Sequence, residues 1–153
     1  MAVSPSSSII DSLAGFCRRE LRAVESYRQA LSSLPPGDHT SVLATCLRSH
    51  ESRAEFFKSR IRWLHAEPPN SAGVLGAVVK VLESAAAAIS LRAALATLEE
   101  EEERLSRYYR THLVGVDLET QQLLQEQVVP TQFETHKLIS DLKHRGQATA
   151  PSP

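Results

Sequence analysis

Glu20, Glu25, His50, Glu102 and His136 are the residues of this chain whose types and spacing could do chemistry. Four of them interrupt apolar seams spaced by fours and threes, and Glu25 lies one position off the first seam. The first seam reads Leu13, Cys17, Glu20, Val24, Tyr27, Leu31, Leu34, and the second Leu43, Leu47, His50, Ala54, Phe57, Ile61, Leu64. The third reads Leu91, Leu95, Leu98, Glu102, Leu105, Tyr109, His112, and a looser fourth runs through Val129, Gln132, His136 and Ile139. An ionisable group facing a core costs free energy unless it is paired. Carboxylates and imidazoles converging from four helices are the donor set of bundle metal sites, where oxygen and nitrogen ligands hold a divalent ion. The same residues also suit a buried hydrogen-bonded pair that fixes helix register without any metal.

Burial of one acid is forced at Glu99–Glu103, because five successive residues at about 100° each sweep more than a full turn. The seam selects Glu102, with Glu101 second. Glu100 and Glu103 stand four residues before Arg104 and Arg107, as in ordinary exposed helix pairs. Counted from a turn near residue 37, Glu20 and His50 are staggered by roughly 6 Å on antiparallel helices, within side-chain reach. Glu25 is level with His50. Glu102 and His136 are staggered by roughly 9 Å about a turn near 116, a poorer fit. Glu102 is placed to accept a bond from Tyr27 or His50, and Tyr109 to serve another acid.

The elements that must position these groups are helices. The spacing predicts helix 1 over about 9–34, stopped by Pro35, Pro36 and Gly37, and helix 2 from an Asp38 or Thr40 cap to before Pro68. A break between Ser84 and Ser90, with Ser90 as cap, divides the next long helical stretch. Helix 3 then covers about 90–113 and helix 4 about 118–144, opened by Asp117 and kinked at Pro130. The result is an all-α four-helix bundle, one domain over 9–144, with disordered tails at 1–8 and 147–153. Two antiparallel hairpins are joined by a long crossover containing a short extra helix. Residues 74–89 are apolar on nearly all faces, which predicts a second covered face and a homodimer formed through this helix.

Composition narrows the function. The 153 residues are 42% apolar, and 17 basic residues against 18 acidic ones argue against nucleic acid as a partner. No stretch is long and apolar enough to suggest a membrane partner, and the N-terminus lacks the pattern of a signal peptide. Cys17 and Cys46 lie too far apart along the helices to bridge, and two reduced thiols suit the cytoplasm. Arg18, Arg19, Arg22, Arg48, Arg53, Arg60 and Arg62 read as a solvated surface paired with Glu25, Glu51 and Glu55. Phosphate loops, nucleophile elbows, His-Glu-x-x-His and Cys-x-x-Cys are missing.

Glu25-Ser26-Tyr27-Arg28-Gln29-Ala30, the Pro-Pro-Asn-Ser-Ala-Gly stretch at 68–73, Leu98 through Glu102 with Leu105 and Tyr109, and His136-Lys137-Leu138-Ile139 with Leu142 give the chain its resemblance. It resembles a bacterial ferritin-like four-helix domain family of uncharacterised function. The resemblance implies a ferritin-like fold, but not a di-iron site. That site takes a Glu on two helices and a Glu-x-x-His on each of the other two. Leu47 stands three residues before His50 and Phe133 three before His136, so both motifs lack their Glu. The expectation is a non-enzymatic, dimeric scaffold or stress-associated interaction protein with a degenerate metal site and no cofactor. The alternative is a metal-binding protein that holds a single Fe or Zn ion through Glu20 or Glu25, His50, Glu102 and His136 and oxidises Fe(II).

Overall fold

Ala, Leu, Glu and Arg, all strong helix formers, recur along the seam-bearing stretches, and each stretch is a helix. The computed structural model describes residues 5–73 and 87–148. Helix α1 spans Pro5–Ser33, α2 His39–Trp63 and α3 Ala87–His112. A single 3-10 turn, Leu113–Gly115, leads to α4 at Leu118–Leu123, a π-helical turn at Leu124–Val128, and α5 at Val129–Ala148. These last three elements form the fourth rod of the bundle. No strand occurs among the described residues.

The turn chemistry is local. Pro35 and Pro36 follow α1, and Thr40 closes the next turn by accepting from the Gly37 N–H at 3.0 Å. Asp38 occupies the cap position of α2 without a side-chain bond. Asp117 caps α4 as expected, accepting from the Thr120 N–H at 3.1 Å. Ser90 lies inside the first turn of α3 rather than capping it, because the helix already runs from Ala87. The extra crossover helix and the dimer face expected at 74–89 fall largely on residues 74–86, outside the described residues.

Around the bundle the order is α1, α2, α5, α3, each packed on its neighbours. Glu20 meets His50 and Cys17 meets Ala54, which sets α1 and α2 antiparallel. The apolar core comes in two clusters. One contains Leu13, Phe16, Phe57, Ile61, Leu105, Tyr109, Leu124 and Val128, with Phe16 and Phe57 stacked at 5.4 Å. The other contains Tyr27, Ala30, Leu43, Cys46, Leu95, Leu98, Ile139 and Leu142. Between them, on all four rods, lies a layer of polar side chains. Both thiols are buried and free, and burial pushes Cys17 up to about 11 and Cys46 to about 12.

The fourth rod corrects the predicted seam. Val128, Gln132, Thr135, Ile139 and Leu142 face inward, whereas Val129 and His136 lie half-buried at the edge. Pro130 has no N–H to give, and the π-helical turn just before it absorbs that gap, with the Val129 N–H reaching back to the Leu124 carbonyl.

Candidate functional site

The polar layer is built from one or two inward residues per rod. Glu20 comes from α1, His50 and Arg53 from α2, Glu102 from α3, and Gln132 and Thr135 from α5. All are buried. Residues three apart share a helix face, so His50 with Arg53 and Gln132 with Thr135 each project inward together.

His50 lies between the two carboxylates. Its Nδ1 is 2.8 Å from Glu20 Oε2 and its Nε2 is 2.8 Å from Glu102 Oε1. Arg53 donates from Nε to Glu20 Oε1 at 2.9 Å, from Nη1 to Ser49 and from Nη2 to Thr135 Oγ1 at 3.2 Å. Tyr109 donates its hydroxyl to Glu20 Oε1 at 2.6 Å, and Tyr27 does the same to Glu102 Oε1 at 2.8 Å. Glu102 Oε2 accepts from Thr135 at 3.2 Å and Gln132 at 3.4 Å. Every carboxylate oxygen of both acids therefore has a donor.

Burial opposes charge on all of these groups, and their mutual contacts overcome it. For Glu20, burial is outweighed by the Arg53 guanidinium, His50 and Tyr109, and the pKa falls below the ordinary carboxylate value. Glu102 is held down in the same way, by His50 and Tyr27. Burial disfavours a charged His50, but Glu102 and Glu20 raise it to about 9. At neutral pH the ring is thus an imidazolium whose two N–H groups donate to the two acids. Arg53 Nη2 lies 2.9 Å from Nδ1. With both groups charged this is a contact between donors, and Glu20, which accepts from each, holds them together. Two carboxylates face one imidazolium and one guanidinium, so the layer is neutral.

Of the five residues singled out from sequence, Glu20, His50 and Glu102 meet. Glu25 is exposed on the outer face of α1. His136 lies at the edge of α5 with its Nδ1 3.5 Å from Ser106, apart from the layer. Sequence reasoning missed Arg53, which is only 3% exposed rather than solvated. Its signal was its position three residues after His50, on the face already assigned to the interior.

The inward pairs also correct the register of the Glu-x-x-His comparison. By spacing and direction, the inward i,i+3 pairs are His50–Arg53 and Gln132–Thr135. Leu47 is half-buried and Phe133 is 66% exposed, so neither faces the site. A two-metal centre of the kind built from four Glu and two His does not fit these residues. Of such a set only Glu20, Glu102 and one imidazole, His50, lie in the layer, and that imidazole gives both its nitrogens to the two acids. A guanidinium, an amide and a hydroxyl occupy the other inward places. Among the described residues no three His, Cys, Asp or Glu side chains form a group able to hold a metal ion. The arrangement can hold charge and protons in place; each oxygen of both acids already has a donor within reach.

No protein-family model matches the chain, and no curated protein matches it. A solved structure is similar: a crystal structure described as ferritin like, diiron-carboxylate proteins from Bacillus anthracis str. Ames. The match covers 96% of this chain and 98% of that one, with a TM-score of 0.59 and 12% sequence identity. No helix among the described residues is long and apolar enough to cross a membrane. The fold of this chain is therefore that of a ferritin-like helical bundle.

Proposed function

We propose that this protein is a non-enzymatic ferritin-like bundle in which a neutral ionic layer centred on Arg53 stands where a metal centre would lie, and that it acts as a dimeric cytoplasmic scaffold or interaction protein. The observation that carries this reading is the saturation of Glu20 and Glu102. Each oxygen of the two acids accepts at least one hydrogen bond, and the positive charge comes from Arg53 and His50. The neighbour's diiron-carboxylate description supports comparison with a centre of four Glu and two His, and the inward residues of this chain depart from that set in the two i,i+3 pairs. The apolar sequence of 74–89 supports dimerisation.

The test is metal content after expression in iron- and zinc-supplemented medium, beside a Glu102→Ala control, with oligomeric mass measured on the same samples. The expected result is trace metal in both proteins and a dimer. Near-stoichiometric metal lost in Glu102→Ala would overturn the reading in favour of a single Fe or Zn site and Fe(II) oxidation. A monomer at tens of micromolar would remove the dimer.

A further inference from the structure

A cavity of about 380 Å³ opens between α1 and α3 and reaches in as far as His50 of α2. Ala23, Leu105 and the Tyr108 ring line it, and Tyr27, His50 and Glu102 also border it. Its volume lies within the range of small-molecule sites, roughly 300–1,000 Å³. Four guanidinium groups border this space: Arg19 and Arg22 from α1, Arg104 and Arg107 from α3. Only two acids line it, Glu101 and Glu102. The lining is thus net positive in a chain whose formal charge is -1, and a concave wall of one sign concentrates field on an anion.

The two acids do not neutralise the cavity fully. Glu102 is committed to Tyr27 and His50. Glu101, 10% exposed, holds Arg22 through Oε1 at 3.2 Å. Its Oε2 is buried with no hydrogen-bond partner, and this acceptor calls for a donor from water, since a carboxylate ligand has none to give. Arg104 pairs with Glu100 outside the cavity. Arg19 lies 3.5 Å over the centre of the Tyr108 ring, which orders both side chains as one wall. Arg107 is exposed and makes no ion pair among the described residues.

We infer that this cavity binds a small organic acid, a single carboxylate head on an apolar body, with the head held by the α3 arginines and the body against Tyr108, Leu105 and Ala23. Arginine forks match a carboxylate in plane and charge, while the apolar lining selects against a bare inorganic anion. The proposal stands independently of whether the neighbouring layer ever takes a metal.

The test uses the full chain and the fluorescence of bound anilinonaphthalene sulfonate, displaced by octanoate, octanol or inorganic phosphate. Octanoate should displace the probe at concentrations about tenfold or more below octanol and phosphate, the value of one charge-assisted contact. The double variant Arg104→Glu/Arg107→Glu changes exposed side chains, so its urea midpoint serves as the folding control. It should weaken octanoate by about tenfold or more and leave octanol unchanged. Equal displacement by octanol and octanoate, unchanged octanoate binding in the double variant, or no probe binding would each overturn the proposal.

Discussion

Replacing Arg53 by Met keeps the stem and removes the guanidinium. The change deletes donors to Glu20 at 2.9 Å, Ser49 at 2.8 Å and Thr135 at 3.2 Å. Glu20 is left buried with Tyr109 and His50 as its remaining donors. Breaking a buried ion pair from one side costs about 3–5 kcal/mol, and two surviving donors place this case near the lower end, at about 3 kcal/mol. With a urea slope of roughly 1.5–2 kcal/mol/M, the midpoint falls by about 1.5–2 M. The double variant Glu20→Gln/Arg53→Met removes both charges and should lose about 2 kcal/mol less than the sum of the two single losses. The assay is equilibrium urea unfolding at pH 6, followed by helical circular dichroism. A loss below about 0.5 kcal/mol for Arg53→Met would mean a solvated arginine, and strict additivity in the double variant would mean that its partner is not Glu20. Either result refutes the ionic layer as described.

Stability should also depend on pH from both sides. His50 is raised from 6.5 to about 9 on folding, so its contribution is complete below about 6.5 and is lost as pH climbs through 9. That loss is on the order of 3 kcal/mol, and a flat urea midpoint between pH 6 and 9.5 would exclude a charged His50. Glu20 and Glu102 are lowered from 4.5, so their contribution is present above that value and fades as pH falls below it. Tyr109→Phe should cost about 2 kcal/mol by removing the 2.6 Å donor to Glu20. It should also move acid unfolding to higher pH, and an unshifted acid limb would show that this hydroxyl does not hold the Glu20 charge.

The sequence made Glu20, His50 and Glu102 legible as one interior group because each occupies a helical seam, and the seam gives direction. Tyr27 and Tyr109 were legible as donors for the same reason. Arg53 was not, since arginine is rarely buried and its spacing to His50 carried less weight than its type. Thr135 escaped notice because an uncharged side chain leaves no conflict in a seam. The phase of the fourth rod depends on a π-helical turn that no periodicity announces. The arginine-bordered cavity joins residues about 80 positions apart, so it exists only once α1 and α3 are packed.

The charges of the polar layer are divided unequally between the two hairpins. The first hairpin brings Glu20, His50 and Arg53, a net +1, and the second brings Glu102, a net -1. The second hairpin cannot close its own middle without confining an unbalanced charge, and the first can do so only with His50 neutral beside the Glu20–Arg53 pair. In the α1–α2 pair alone the Glu102 contact that most raises His50 is missing, so the ring is held as an imidazolium only once α3 is packed against it. The charge on His50 is thereby tied to the docking of the second hairpin. The acid on α3 also tells the two hairpins which faces, and which heights, belong together.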